Sequence, residues 1–226
     1  MNYPLVSIIL PTYNGEEYIE KALESLSNQT YPNYEILISD DNSSDGTYSI
    51  CEKFTLKNNN IHLSKNKKNL GGTENFIETL YKSKGEYVLW AQQDDIWHKD
   101  FIMKLYEPFS KNKDIIISMC KTAIFDEDEK KIIDYYNFNN KFNPSNMNNF
   151  QLAKNTIKCL FPDSKMVKFN IFIHGLIKSI YLKNILNNYL GLFATERHLL
   201  VHLALIGSFN YTDELLYYSK IYYDEN

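Results

Sequence analysis

The chain has 226 residues, 44% hydrophobic and 23% charged, with a formal net charge of −4 and a pI near 5.8. That length supports a core without disulfide staples, and the composition excludes a disordered tail or a fibrous protein. A slightly acidic chain with no basic face excludes a duplex nucleic-acid binder, which needs clustered cations to displace counterions.

In chain order, short apolar runs alternate with amphipathic stretches, the pattern of a sheet with crossover helices. Val6 to Leu10 reads as a strand ending at Pro11, and Glu16 to Ser27 as a helix with Ile19, Ala22, Leu23 and Leu26 on one face. Tyr34 to Ser39 is a second strand, followed by the turn-forming DDNSSDGT and a helix from Thr47 to Phe54. Ile61 to Leu63 is a third strand, NKKNLGG a loop opening a helix over Glu74 to Ser83, and Glu86 to Ala91 a fourth strand. QQDDIWH leaves that strand, and Phe101 to Phe109 resumes helical spacing.

After Ile115 to Met119, two apolar runs flank a charged turn at Asp126 to Lys131 and predict a hairpin. Asn137 to Asn149 has no periodic face and reads as a loop. Helices are expected near Phe150 to Leu160 and Thr195 to Ile206, then strands at Ser208 to Tyr211 and Leu215 to Tyr223. Cys51, Cys120 and Cys159 form no C-x-x-C pair, which fits a reduced, cytoplasmic setting. No basic leader precedes the first apolar run and no stretch has the roughly 18 apolar residues of a membrane span, so a soluble protein is expected.

Ligands of an open parallel α/β sheet sit beyond the carboxyl ends of its strands. Three polar clusters fall at such ends: PTYN after the first strand, Asp40 and Asp41 after the second, and QQDD with Asp94 and Asp95 after the fourth. A carboxylate after the second strand is placed to accept from a ribose or base edge. Paired acids after the fourth suit a hard divalent cation whose shell is completed by phosphates. The two acidic clusters also have a purely structural reading, as a capped turn at Asp40 to Gly46 and as helix-start acids at Asp94 and Asp95. Their co-location favours a metal-bridged nucleotide diphosphate, because gathered like charges cost energy unless a cation offsets them.

VSIILPTYNGEEYIEKALESLSNQTYPNYEILISDDNSSDGT, NLGGTENF and KGEYVLWAQQDDIW together resemble family 2 inverting glycosyltransferases of the GT-A fold. The resemblance implies an α/β fold: a Rossmann-like, mostly parallel sheet with helices on both faces. It implies a nucleotide-sugar-binding half at 1–120 and an acceptor-binding half of the same domain at 121–226. Pro11, Tyr13, Asp41, Asn75 and Gln93 are then nucleotide-binding, and Asp94 is the metal-binding last acid of a D-x-D motif. Gln92 replaces that motif's first acid, so Asp95 is expected to share the Mn²⁺ or Mg²⁺ with Asp94.

In the second half, HGLIKSIYL and TERHLLVHLALIGSFNYTDELLYY resemble later blocks of bacterial surface-polysaccharide members. There an acid opening a helix ahead of a Gly supplies the catalytic base, and Glu196, eleven residues before Gly207, holds that place. A first-turn acid paired locally is the alternative for Glu196. Arg197, the chain's one arginine, either clamps a phosphate or orients Glu196. His174 is either an acceptor-side residue or a satisfied buried histidine. Ser219, Lys220 and Ile221 stand in the region where many relatives carry an Arg-x-His pair for the diphosphate, so either Lys220 substitutes for that pair or the sequence stops short of a closing segment. His198 and His202 have zinc-site spacing but lack the following Glu of the metalloprotease motif.

The function expected is metal-dependent, inverting transfer of a sugar from a nucleotide diphosphate, UDP before dTDP, to a saccharide or lipid-linked acceptor of a cell-surface glycan. A lipid-linked acceptor would bring the enzyme to the inner membrane face. The alternative is a nucleotide-sugar-binding subunit without turnover.

Overall fold

The computed structural model describes residues 2–126, 131–136, 143–158, 172–188 and 196–220. The elements are β1 (Val6–Thr12), α1 (Ile19–Ser27), β2 (Tyr34–Asp40), α2 (Thr47–Lys57), β3 (Ile61–Lys65), α3 (Gly72–Lys82), β4 (Tyr87–Trp90), β5 (Ile96–Trp97) and α4 (Phe101–Lys111). There follow β6 (Ile115–Asp126), β7 (Lys131–Tyr136), a 3-10 turn (Pro144–Asn146), α5 (Asn149–Lys158), β8 (Leu176–Lys178), α6 (Ser179–Asn188), α7 (Glu196–Ile206) and β9 (Ser208–Lys220). One mixed sheet runs β3-β2-β1-β4-β8-β6-β9-β5, with β7 paired to β6.

Its first four positions are parallel, from Val6 opposite Tyr34 and Tyr87 to Ile36 opposite Ile61. Parallel strands are covered on both faces, which is why Val6, Ile8, Ile9 and Leu10 are all fully buried, interrupted only by Ser7, whose buried hydroxyl donates to Glu35. Helix α1 buries the four residues its spacing marked, Ile19, Ala22, Leu23 and Leu26. Removing each larger side chain from water contributes about 1.5–3 kcal/mol. Helix α4 buries Phe101, Ile102, Leu105 and Phe109 in the same way.

Strand β1 continues through Pro11 to Thr12 instead of stopping at the proline. Ile9 accepts from the Ala91 amide on the β4 side, and Thr12 from the Asp41 amide on the β2 side. Peptide groups alternate sides along a strand, so Pro11 faces the side where β4 has just ended. No ladder N–H is lost there.

The second half departs from the sequence expectation in three places. Strand β8, antiparallel to both β4 and β6, was not anticipated, and neither was α6 directly after it. The predicted strands around Tyr211 and Leu215 are one strand, β9, whose register against β6 shifts near Lys121. That shift absorbs the exposed Asp213 and Glu214, which read as a break in sequence. Position 120 falls inside β6, so the two halves share one continuous sheet. The hairpin of β6 and β7 forms as expected, although its turn at 127–130 lies outside the described residues, as do 137–142 of the Asn-rich stretch.

Cys51 and Cys120 are buried free thiols, and Cys159 is outside the described residues. Among the described residues no helix is long and apolar enough to cross a membrane.

Candidate active site

A cleft of about 410 Å³ opens beyond the carboxyl ends of β1, β2 and β4 and is lined by Pro11, Tyr13, Asp41, Gly71, Asn75, Trp90, Gln92, Gln93 and Asp94, among others. The three strand-end clusters therefore meet at one place. Within each cluster, however, neighbouring residues do different things.

At the end of β1, Tyr13 is 46% exposed and presents its ring to the cleft. Gln93 holds it there: Oε1 accepts from Thr12 Oγ1 (2.6 Å) and the Tyr13 amide (2.9 Å), and Nε2 donates to the Tyr13 carbonyl (3.2 Å). A Cβ on Gly15 would stand 2.4 Å from Gln93 Oε1, so a side chain there would push the Gln93 amide off these hydrogen bonds. Gln93 lines the cleft, but its polar atoms brace the tyrosine loop.

At the end of β2, Asp40 turns inward, accepting from the Ser43 amide (3.1 Å) with Lys65 Nζ 3.6 Å away. Asp41 turns to the cleft. It accepts from Asn66 Nδ2 (2.8 Å) and the Leu70 and Gly71 amides (2.9 Å each), which fixes the loop where Gly71 takes φ +85°. Three partners leave part of the carboxylate's acceptor capacity for a ligand. Asn75, 1% exposed, is engaged at both ends, donating to the Ser39 carbonyl (2.8 Å) and accepting from Asn66 (3.1 Å). Asn66, in a segment read only as loop, is thus the link between Asp41 and α3. The capped-turn reading holds for Asp45. Burial works against its charge, yet hydrogen bonds from the Thr47 hydroxyl and the Thr47 and Glu16 amides hold it below the usual carboxylate range.

At the end of β4, Trp90 stacks on Phe76 with ring planes 8° apart and forms part of the cleft wall. Asp94 lines both this cleft and an adjoining recess of about 90 Å³ formed by Tyr18, Lys21, Tyr218 and Lys220, among others. Lys220 Nζ lies 3.4 Å above the Tyr18 ring, and both residues line the recess that Asp94 shares.

Asp95 does not join Asp94. It is 1% exposed and accepts from the Tyr217 hydroxyl and the Lys220 amide (3.0 Å), so it ties the β4–β5 loop to the end of β9. Burial, reinforced by the charge of Asp94, pushes its carboxyl up to about 7. The expectation that the adjacent acids share a cation gives way to one acid facing the cleft and one facing the core. Asp94 sits in the turn after β4 and Asp95 leads out of it into β5, so the chain reverses between the two side chains.

Gln92 faces His174, with Nε2 atoms 3.1 Å apart, and His174 Nδ1 is 3.3 Å from the Trp90 carbonyl. The imidazole is 7% exposed, and burial pushes its pKa down to about 4, against the opposing hydrogen bond to Trp90. A histidine that stays neutral when folded binds fewer protons than the unfolded chain, so stability present above about pH 6.5 is lost as pH falls toward about 4. The loss is at most about 3 kcal/mol. Urea melts at pH 7, 5.5 and 4.5 should show this decline in the wild type and a shallower one in His174→Gln. Equal declines would mean that the imidazole is not held neutral.

Glu196 opens α7, as the sequence indicates, while the side chains of Glu196 and Arg197 lie outside the described residues. His202 Nδ1 lies 2.9 Å from the His198 carbonyl within the same helix. Among the described residues no group of three or more His, Cys, Asp or Glu side chains could hold a metal ion. A cation in the cleft would have Asp94 as its protein carboxylate. That donor set fits Mg²⁺ or Mn²⁺ bound mainly through substrate phosphates and does not fit an all-protein cage.

Residues 7–176 match the model of glycosyl transferase family 2. The chain belongs to this family. It is 34% identical over 119 residues to the poly(ribitol-phosphate) beta-glucosyltransferase of Bacillus spizizenii, covering 51% of this chain and 19% of that protein. The fold is that of the GT-A glycosyltransferases. S. aureus TarS 1-349, solved in complex with UDP-GlcNAc, superposes with a TM-score of 0.67 at 22% identity, covering 97% of this chain and 59% of that one. The mannosyltransferase PcManGT from Pyrobaculum calidifontis, solved with GDP-Man and Mn²⁺, gives 0.66 at 18% identity, covering 99% and 59%. The first curated relatives are matched over only 38% to 41% of their own length.

Proposed function

We propose that this family 2 member binds a nucleotide diphosphate sugar in the cleft and transfers the sugar, with inversion, to a saccharide or lipid-linked acceptor of a cell-surface glycan. The observation that carries this reading is the meeting of Asp41, Tyr13 and Asp94 in one cleft at the ends of adjacent parallel strands. Tyr13 would stack on the base, Asp41 would accept from its edge, and the diphosphate would lie toward Asp94, with Lys220 on the far side. A Mg²⁺ or Mn²⁺ held there by Asp94 supplies charge neutralisation for the departing diphosphate.

Glu196 would take the acceptor hydroxyl proton as that oxygen attacks the anomeric carbon from the face opposite the diphosphate. One carbon–oxygen bond forms as the bond to the leaving phosphate breaks, so a single displacement inverts the centre. UDP is the preferred nucleotide, in line with the UDP-GlcNAc complex of the TarS neighbour. A lipid-linked acceptor would bring the enzyme to the cytoplasmic face of the membrane.

An amide in place of the motif's first acid favours a second reading, a donor-binding subunit without turnover. One experiment separates the two. Calorimetry with UDP and Mn²⁺, followed by a donor panel assayed for nucleotide diphosphate release, is expected to show metal-dependent binding and then release from a UDP-sugar. With one protein carboxylate for the cation, Mn²⁺ should bind at least tenfold more tightly when UDP is present. Tight donor binding without hydrolysis or transfer to any glycan extract would select the subunit, and no nucleotide binding would reject both readings.

A further inference from the structure

Gln92 leaves β4 beside Asp94, is partly exposed and lines the cleft. Its partner His174 comes from the turn before β8, and Gly175, next in the chain, is needed because a Cβ there would lie 2.5 Å from the Ser118 carbonyl. The backbone after His174 is thereby seated against β6, and the imidazole, between the Trp90 and Tyr217 rings, is bonded at both nitrogens.

The Trp90 carbonyl can only accept, so Nδ1 carries the ring proton and Nε2 keeps its lone pair. That lone pair requires a donor opposite. An amide NH₂ provides one, whereas an ionised carboxylate has acceptors alone and would need a second proton on a ring that is 7% exposed. With the amide nitrogen committed to the ring, Oε1 remains for the cleft.

We infer that His174 is a positioning residue that fixes the Gln92 amide, so that position 92 offers the bound donor a neutral hydrogen-bond acceptor, suited to a hydroxyl, in place of a carboxylate. Histidine at 174 and an amide at 92 are a matched pair, and an acid at 92 would be matched by a donor at 174. This inference rests on the donor-site reading above.

An isosteric double-mutant cycle tests it. Gln92→Glu sets a carboxylate against the Nε2 lone pair, and His174→Gln supplies an amide that can turn either end toward position 92. With Mn²⁺ and UDP in the calorimeter, Gln92→Glu alone is expected to weaken UDP binding about tenfold, the cost of one unmade buried hydrogen bond. Adding His174→Gln should restore most of that loss. His174→Leu, which gives Gln92 no acceptor, should cost more affinity than His174→Gln, and melting temperatures recorded for each variant separate misfolding from lost positioning.

The ligand-free wild type offers a second readout. Nitrogen-15 spectra of labelled histidine at neutral pH should show His174 protonated at Nδ1 and bare at Nε2. Equal losses for Gln92→Glu with either residue at 174, or an Nε2-protonated ring, would overturn the pairing. If the wild type binds no nucleoside diphosphate, the donor-site reading fails, while the spectrum still decides the pairing.

Discussion

Asp94→Ala is expected to lower sugar transfer about 10³-fold and to abolish its stimulation by Mn²⁺ or Mg²⁺. Neutralising a departing diphosphate is a matter of several kcal/mol, and each 1.4 kcal/mol is a factor of ten in rate. Asp94 is the acid of its pair that faces the cleft. Its removal should leave the melting temperature nearly unchanged, because the neighbouring buried Asp95 is disfavoured as an anion partly by the charge of Asp94. The structural member of the pair behaves in the opposite way. Loss of Asp95 would strip the Tyr217 hydroxyl and the Lys220 amide of their acceptor and loosen β9. The measurement is a paired one, of rate against metal concentration and of thermal unfolding, for Asp94→Ala beside the wild type. Full activity without added metal would remove Asp94 from the chemistry. A collapse in melting temperature would make its role structural.

Glu196→Gln is expected to keep UDP affinity within about threefold while lowering turnover by about 10²–10⁴, the span typical of a positioned general base. The amide matches the carboxylate in shape and cannot take the acceptor proton. The decisive pattern is the split between binding and rate. A binding role would move both together, since the lost interaction would be made in the ground state as well. Wild-type turnover in this variant would transfer the base to another group, with His198 and Asp213 the next to substitute. Raising the pH should not rescue the variant, whereas it would rescue an enzyme whose base had merely been shifted upward.

The two acid pairs show how far the sequence could be read. Their positions after β2 and β4 were legible, because an apolar run ending in acidic residues marks a strand end, and ligands gather at such ends in a parallel sheet. Which acid of each pair faces the cleft was not legible from the residues themselves: Asp41 and Asp94 were expected there from the resemblance alone, and Asp95, expected beside Asp94, turns to the core. Asp40 and Asp41, and likewise Asp94 and Asp95, are chemically equivalent in one dimension and point to opposite sides in three. Asn75 and Gln93 were expected at the site from the resemblance, and both line the cleft. That both act by bracing Asp41 and Tyr13 depends on partners 9 and 80 residues away.

Local periodicity and end chemistry determined the alternation of strands and helices in the first half, the buried face of α1, and the places where polar groups would collect, because each of these depends on residues a few positions apart. Tertiary structure alone decided the three-residue strand β8, the union of two expected strands into β9, the pairing of His174 with Gln92, and the capture of Asp95 by Tyr217 from 122 residues away. The physical reason is common to all four. A strand too short to show alternation, a register shift and a hydrogen bond across the sheet are fixed by which segments lie side by side. That arrangement is set by the burial of the whole core and leaves no trace in any single stretch of chain.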